Sequence, residues 1–296
     1  MKGQYLKGIR DVDVAGKGVL VRADLEGGPE SQRVKVTKQI IEYLLDTKAG
    51  KIKVIGHEGH FEYPGIEIDN DVRKDEREKN NDESYATELA EGWDIYVNES
   101  FAESHRKYVS VNALPRLMKK QGKEVGVGLR FEKEIEMLDK IQDTGEASAS
   151  RARFKIQFLV IGGAKVGDKA KYADEFEEKG WTVLRGGLLP GVNLRDDGLD
   201  ISDETIERYK AQVGKAQVIV VAGPMGKYEI AERGTREVFT AVADSGAYKI
   251  AGGGDTENAL AKFGLLGKFD WVSVGGGAML EYLATGTLPG IQALIQ

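Results

Sequence analysis

The sequence contains no cysteine in 296 residues, and it has six prolines and three histidines. Without cysteine the chain has no disulfide framework and no thiolate chemistry. No apolar run approaches the roughly 20 residues that a membrane helix needs, and residues 1–16 lack the apolar core of a signal peptide. The formal net charge is −6 and neither half is strongly basic, which argues against nucleic-acid binding. We therefore expect a cytoplasmic, globular monomer that binds neither nucleic acid nor membranes.

Glycine is the residue that the chain has in excess. It occurs 38 times, well above the usual share of about 7%. The glycines are not spread as in a linker but stand where apolar runs end. Hydrophobic residues make up 41% of the chain, enough for a sizeable core, and the length favours two domains over one.

Short apolar runs alternate with helical patterns in the first half of the chain. The predicted strands are 19–23, 52–55, 95–97 and 125–127, and the predicted helices are 31–48, 81–90 and 131–141. Gly50 is the predicted C-cap of the first helix, Asn81 the predicted N-cap of the second and Gly92 its stop. Most of the charges in the charge-dense stretch 66–84 are predicted to be solvated surface. This alternation is typical of βαβ units.

The second half repeats one pattern, in which an apolar run leads into glycines. The runs are 158–161, 181–184, 218–221, 248–251 and 271–274. We predict an α/β fold of two lobes, each a mostly parallel sheet flanked by helices, joined by a hinge. The first lobe spans 1–130, a helix and hinge span 131–150, and the second lobe spans 151–287. The small, polar segment 143–150 is the predicted linker, and the tail 288–296 is expected to pack back on the first lobe.

Glycine turns after parallel strands are suited to phosphate binding. Ligands of such sheets bind beyond the carboxyl ends of the strands, where helix N-termini present free N–H groups. Glycine lets the backbone approach an anion closely. A single turn is explained equally well by packing, but the set favours a phosphate-bearing ligand. None of the turns has the spacing of a P-loop or of a dinucleotide-binding loop.

Two lysines and one aspartate accompany these turns. Lys165 and Lys169 follow Gly163, and their spacing of four places them on one helix face. Both are candidates for phosphate contacts, with ordinary surface charge as the alternative. Asp255 follows three glycines. It is either a simple N-cap or a group that orients Mg²⁺ bound to phosphates.

The first half holds all three histidines and several arginines near strand ends. The histidines are His57, His60 and His105, and the arginines are Arg22, Arg33, Arg73 and Arg106. The histidines lack the spacing of a zinc site. Each arginine alone is read as a surface residue, but together these groups indicate a cationic pocket for a small phosphorylated carboxylate.

These motifs, taken in order, resemble the phosphoglycerate kinase family over nearly the whole chain. In the first half, residues 19–26, 56–60, 70–73, 96–101 and 104–106 are similar to the strand and substrate motifs of that family. In the second half, the matches are almost residue for residue, at 162–169 (GGAKVGDK), 223–229 (GPMGKYE), 252–256 (GGGDT) and 275–281 (GGGAMLE).

The resemblance implies reversible phosphoryl transfer between 1,3-bisphosphoglycerate and ADP, with Mg²⁺ and hinge closure of the two lobes. The implied catalytic groups are Arg33, Lys165, Gly253 and Gly254. The implied triose ligands are Arg22, Asp24, Glu26, His57, His60, Arg73 and Arg106. The implied nucleotide ligands are Gly163, Ala164, Lys169, Gly223, Pro224, Glu229, Gly252, Asp255 and Thr256, with Asp255 also serving the metal.

The chain departs from the family pattern in length and at single positions. A strand–helix unit is expected to be missing between His60 and Asn70, and a second block between Gly187 and Gly198. Five substitutions fall in the motifs: Glu26 for asparagine, His60 for arginine, Ala222 for asparagine, Lys227 for a small apolar residue and Val274 for threonine. They motivate an alternative, a non-catalytic nucleotide-binding protein on the same fold. A nicotinamide dehydrogenase is a weaker alternative, because no dinucleotide turn is present.

Overall fold

The computed structural model describes residues 6–28, 31–142 and 156–295. The chain divides into two compact units, Met1–Glu136 with Thr287–Gln296, and Met137–Gly286. The linker predicted at 143–150 lies outside the described residues. No helix of the described residues is long and apolar enough to cross a membrane.

The first unit is built on a five-stranded parallel sheet. Its strands are β1 (Gly18–Arg22), β2 (Lys51–Ile55), β3 (Glu67–Asp69), β4 (Ile95–Asn98) and β5 (Glu124–Val127). Its helices are α1 (Gln32–Asp46), α2 (Glu83–Ala90), α3 (Ala113–Lys120) and the start of α4 (Leu129–Gln142). The strand order is β3-β2-β1-β4-β5, and every pairing is parallel.

Helix α1 shows how the sequence forms these elements. Ser31 caps its N-terminus by accepting a hydrogen bond from the backbone N–H of Val34. The apolar residues at helical spacing, including Ile40 and Leu44, are buried in the same core cluster as the β1 side chains. The helix ends at Asp46 with Thr47 as the C-cap. The prediction of Gly50 as that cap was therefore wrong.

Gly50 has a different role, because a Cβ there would lie 2.4 Å from the carbonyl oxygen of Gly16. The predicted N-cap of α2 was also wrong. Asp82 caps that helix through Ser84, while Asn81 takes a left-handed conformation with φ of 54° just before it.

The charge-dense stretch 66–84 is more than solvated surface. It contains β3, which pairs with β2 from Lys53 to Ile55, and it contains Glu78, whose side chain is fully buried. The expected loss of a strand–helix unit before Asn70 is thus corrected in part. The strand is present, and the connection from β2 to β3 contains no helix.

The second unit is a second five-stranded parallel sheet with helices. Its strands are β6 (Gln157–Ile161), β7 (Thr182–Arg185), β8 (Val218–Ala222), β9 (Tyr248–Gly252) and β10 (Trp271–Ser273). Its helices are α5 (Val166–Glu178), α6 (Asp203–Val213), α7 (Arg233–Asp244), α8 (Gly254–Lys262) and α9 (Gly276–Thr285). The strand order is β10-β9-β8-β6-β7. Residues 187–202, between β7 and α6, contain neither helix nor strand apart from one isolated bridge.

The last helix, α10 (Pro289–Ile295), belongs to the first unit. Leu288 and Leu294 are buried there. The backbone N–H of Gly290 donates to the carbonyl oxygen of Ser104, at 2.9 Å, and Asn112 donates to the carbonyl oxygen of Pro289. The α/β fold class with two parallel sheets is confirmed.

Candidate functional site

Each sheet has one point where the strand order reverses, and the predicted residues gather there. In the first unit, β2 and β4 lie on opposite sides of β1, and in the second unit β7 and β8 lie on opposite sides of β6. At such a point, the connections that follow the two neighbouring strands leave the sheet in opposite directions. This opens a crevice at the carboxyl ends of those strands. Each unit thus has its own crevice.

The crevice of the second unit is a cleft of about 400 Å³. Five of the predicted nucleotide ligands line it, namely Gly163, Ala164, Pro224, Glu229 and Asp255. Its apolar wall is formed by the side chains of Leu188, Leu194, Leu199 and Tyr228, and Lys227 also lines the cleft. A cleft lined by both glycine turns and apolar groups suits a ligand with a phosphate and an aromatic ring.

The glycines at the floor of this cleft are required by close backbone approach. A Cβ on Gly162 would lie 2.2 Å from the carbonyl oxygen of Pro224, and one on Gly223 would lie 2.1 Å from that of Gly162. Gly163 and Gly223 also have φ of 101° and 116°, in the region that favours glycine. The turns after β6 and β8 therefore cross at contact distance, which no other residue type permits.

Two lysines stand at the start of α5. Lys165 is the exposed N-cap residue, and Lys169 is partly buried in the first turns of the helix. The Lys169 ammonium group donates to the carbonyl oxygen of Gly162. Burial lowers the pKa of Lys169, with Asp255 opposing and Lys165 reinforcing this effect. The three charged groups thus share one electrostatic environment beside the glycine turns.

The turn after β9 brings Asp255 to the cleft. Gly253, with φ of 99°, is the N-cap residue of α8, and Asp255 is exposed in the first turn of that helix. Of the two alternatives for Asp255, the simple N-cap is therefore wrong. Thr256 is buried and donates from its hydroxyl to the carbonyl oxygen of Gly252, at 2.9 Å. Gly252 and Thr256 shape the turn, while Gly254 and Asp255 stand exposed to solvent.

In the first unit, Asp24 lies where β1 and β4 end. Its Oδ1 accepts a hydrogen bond from the Ser100 hydroxyl, which belongs to the turn after β4. Its Oδ2 is buried and has no hydrogen-bond partner among the described residues. A buried carboxylate oxygen left without a donor is costly in a folded protein. Such an atom at a strand switch point is typical of a ligand site.

A buried network lies behind Asp24. Arg22 donates from Nε to the Ser110 hydroxyl, at 2.9 Å, and its Nη2 lies 3.1 Å from His57 Nδ1. Because arginine only donates, Nδ1 must accept, and the His57 proton sits on Nε2. That nitrogen lies 3.3 Å from Glu78 Oε1, which also accepts from the Ser110 hydroxyl. Burial, followed by the charges of Arg22 and Arg73, lowers the pKa of His57, so the ring is neutral.

This network corrects the prediction for Arg22. The side chain is fully buried, and its guanidinium also donates to the carbonyl oxygen of Ala23. Arg22 is placed to orient His57 from inside the protein, and it presents no surface to a ligand.

Arg33 and Arg73 face the pocket together with Glu26. The Glu26 carboxylate contacts Arg33 Nη1 through Oε2, and its Oε1 lies 3.6 Å from Arg73 Nη2. Burial acts to lower the pKa of Arg33, but Asp24, Glu26 and Glu103 together raise it. The predicted cationic pocket therefore contains its own carboxylates.

The remaining predicted groups lie further out. His60 is exposed, and no partner of its side chain is described. Arg106 is about half exposed, 3.5 Å from Glu103 Oε2 and stacked on the ring of Tyr108. His105 donates from Nδ1 to the carbonyl oxygen of Ala102, at 2.8 Å, because a carbonyl oxygen only accepts.

Sequence reasoning missed three acidic residues of this region. Glu78, Glu58 and Glu103 all contact predicted ligands, the last two at 2.8 Å from Arg73 and 3.7 Å from His57. Glu58 stands inside the motif 56–60, and Glu103 stands two residues before His105. Glu78 carried no local signal, because its partner Ser110 lies 32 residues away.

A model of the phosphoglycerate kinase family matches residues 66–195 and 190–286. The chain belongs to the phosphoglycerate kinase family. It is 31% identical to the phosphoglycerate kinase of Aquifex aeolicus, with 96% of both chains covered. It is 26% identical to that of Thermomicrobium roseum, with 98% of this chain and 100% of the relative covered. The solved phosphoglycerate kinase of Pyrococcus horikoshii OT3 has the same fold, with a TM-score of 0.76, 23% identity and coverage of 97% and 98%.

The alignment with the Thermomicrobium roseum kinase extends over 403 positions, whereas this chain has 296 residues. Since nearly all of both chains is covered, the relative contains segments with no counterpart here. This member of the phosphoglycerate kinase family is thus a shortened one that retains both sheets.

Proposed function

We propose that this protein is a phosphotransferase that moves a phosphoryl group reversibly between 1,3-bisphosphoglycerate and Mg-ADP. One observation carries the proposal most directly: in a chain of this family, glycine turns that cross at contact distance lie beside Lys165, Lys169 and Asp255. Phosphoryl transfer needs little covalent help from a protein. It needs positioning of the reactants and stabilisation of charge on the moving group.

In the first unit, the triose would be held by Asp24, Arg73 and Arg106, with the neutral His57 ring behind them, where its two nitrogens face Arg22 and Glu78. The unpartnered Oδ2 of Asp24 is suited to accept a hydrogen bond from a substrate hydroxyl. Arg33 would stabilise the charge that develops on the transferred group.

In the second unit, the phosphates of the nucleotide would lie over the turns after β6, β8 and β9. Lys165 and the backbone N–H groups of Gly253 and Gly254 would bind the transferred group, and Lys169 and Thr256 would support the turns. Glu229 and the apolar wall would contact the nucleoside.

Mg²⁺ would be held through Asp255 and the phosphates of the nucleotide. Among the described residues, no group of three or more histidine, aspartate or glutamate side chains could hold a metal ion. This fits an ion that a single carboxylate and the substrate share, the usual arrangement for nucleotide-bound magnesium. When bound, the ion neutralises phosphate charge.

Replacement of one cation tests the proposal. We expect Arg33→Ala to lower kcat roughly 10³-fold, on the order of 4 kcal/mol of transition-state stabilisation, with little change in Mg-ADP affinity. A coupled assay with 3-phosphoglycerate and Mg-ATP measures the rate. Arg10→Ala is the matched control, because Arg10 forms only an exposed ion pair with Glu132 among the contacts described for its side chain.

Equal rates for wild type, Arg33→Ala and a buffer blank would contradict the proposal. If Mg-ADP still bound in that case, the protein would be a nucleotide-binding member of the family without transfer activity.

We further propose that it works as a monomer in the cytoplasm, where glycolytic intermediates occur. Light scattering after size-exclusion chromatography tests whether the protein is a monomer in solution.

A further inference from the structure

The two arginines of the first-unit pocket are already paired with a carboxylate from the chain itself. Glu26 contacts Arg33 directly and lies 3.6 Å from Arg73. The exposed fractions of the Glu26, Arg33 and Arg73 side chains are 34%, 24% and 18%, so the group is mostly shielded from water. Ion pairs in such surroundings are screened less than pairs at an open surface.

Other carboxylates surround the same arginines but are placed differently. Glu58 contacts Arg73 alone, at 2.8 Å, and its side chain is 65% exposed. Asp24 is held by Ser100, and Glu103 lies between His57 and Arg106. Of the acidic residues that the structure describes, Glu26 is the one that contacts both Arg33 and Arg73. It therefore occupies the position in which a bound anion would bridge them.

We propose that Glu26 is a specificity-determining residue, an internal anion that an incoming phosphorylated carboxylate must displace from Arg33 and Arg73. The inference rests on the proposed function for the identity of that substrate. A substrate anion cannot share the arginines with Glu26, because like charges in contact repel strongly. Binding thus exchanges one ion pair for another, which lowers the affinity for all anions. Only a ligand that bridges both arginines forms enough new contacts to offset this exchange.

Glu26 would weaken the binding of the substrate and of the transition state by the same amount. It must leave the two arginines before the substrate complex or the transition state can form. A uniform effect of this kind changes KM and leaves kcat in place. If Glu26 instead positioned Arg33 for catalysis, the loss of Glu26 would lower kcat. The two kinetic constants therefore distinguish an internal competitor from a positioning residue.

The test is an equilibrium titration of the full-length protein with 3-phosphoglycerate, by calorimetry, together with steady-state kinetics. We expect Glu26→Gln to tighten the dissociation constant and lower KM about tenfold, with kcat changed less than twofold. Glu26→Asp keeps the charge and should stay within about threefold of wild type. Inorganic sulfate, a smaller anion, should gain less from Glu26→Gln than 3-phosphoglycerate does.

Glu88→Gln is the matched control, because Glu88 also pairs with an arginine, Arg77, at 2.8 Å in the same unit. It should leave both constants unchanged. Melting curves establish that each variant is folded. An unchanged or weaker affinity in folded Glu26→Gln, or a fall in its kcat, would overturn the inference.

The titration does not need turnover, so the two proposals can fail separately. Tighter binding by Glu26→Gln without any transfer activity would support the role of Glu26 and contradict the kinase reaction. Normal activity with no change in binding would do the reverse. No binding of 3-phosphoglycerate by either protein would overturn the role of Glu26.

Discussion

Buried acidic side chains distinguish the first unit at the scale of single residues. Glu99 is almost completely buried and accepts hydrogen bonds from the backbone N–H groups of Arg130 and Phe131, at the start of α4. Gly128 makes room for it, since a Cβ there would lie 2.2 Å from Glu99 Oε2. Burial raises the pKa of Glu99 to about 8, although the two backbone donors oppose the rise.

This raised pKa predicts a pH-dependent stability. The folded protein holds a proton on Glu99 that the unfolded chain releases above about pH 4.5. The contribution is therefore complete at low pH and is lost as the pH rises towards 8. We expect the free energy of unfolding to fall by about 3 kcal/mol between pH 5 and pH 8 from this group. Urea denaturation at a series of pH values measures it.

Glu99→Gln imitates the protonated side chain and should remove this part of the pH dependence. Glu132→Gln alters a half-exposed carboxylate in the first turn of the same helix, and should keep the wild-type profile. Parallel profiles for Glu99→Gln and wild type would show that Glu99 is ionised in the folded protein across this range.

The sequence indicated the ligand residues better than the residues behind them. Lys169 and Asp255 stand in motifs with a recognisable order. Glu78 stands in none, and the motif 96–101 gives no sign that Glu99 is buried, because a carboxylate is expected at the surface unless a partner is known. Their partners lie about thirty positions away, Ser110 at a separation of 32 and Arg130 at 31. Only the fold brings such pairs together.

At the scale of elements, the second unit depends on glycines with different requirements. Gly162 directly follows β6, and a Cβ on it would collide with the carbonyl oxygen of Pro224. That oxygen belongs to the backbone, which cannot move aside as the end of a flexible side chain can. Gly167 lies one turn further on, inside α5, where a Cβ would meet nothing within 4 Å. The two positions differ in the space available for one methyl group.

We expect Gly162→Ala to weaken Mg-ADP binding at least tenfold and to destabilise the protein by about 2 kcal/mol, because the crossing turns must separate. Gly167→Ala should stabilise it by about 0.5–1 kcal/mol, since alanine favours a helix over glycine. Calorimetric titration and thermal melting measure both effects. Similar behaviour of the two variants would contradict the close-approach explanation.

Strands were easier to predict than helix ends. The five apolar runs of the second half became β6 to β10 with shifts of at most one residue at either end. They are apolar runs that lead into glycine, a strong local signal. β3 was missed because it has three residues, Glu67–Asp69, and none is buried. The cap positions of α1 and α2 were missed because Lys48 and Asn81 adopt the positive φ expected of glycine.

At the scale of the whole molecule, the first unit is made from two separate parts of the chain. Leu288 has no exposed surface and Leu294 is 5% exposed, both within that unit. Lys119 donates to the carbonyl oxygen of Leu294, at 3.0 Å. The segment is held by apolar burial and by hydrogen bonds to α3 and its surroundings.

We expect Leu294→Ala to destabilise the first unit by about 3 kcal/mol, because it leaves a cavity beneath α10. Hydrogen exchange followed by mass spectrometry should show faster exchange in β1 and β4 and little change in β6 and β8. Leu266→Ala, at a 38% exposed site of the second unit, is the control and should change neither. Equal acceleration in both sheets would mean that the two units do not unfold independently.

The return of α10 to the first unit also sets an order of assembly during synthesis. The ribosome makes β1 to β5 first, then every strand of the second sheet, and only afterwards the residues of α10. The nascent second unit can therefore complete its core while the first still lacks Leu288 and Leu294. The unit that is begun first is finished last, and until then the surface that α10 covers is open to chaperones.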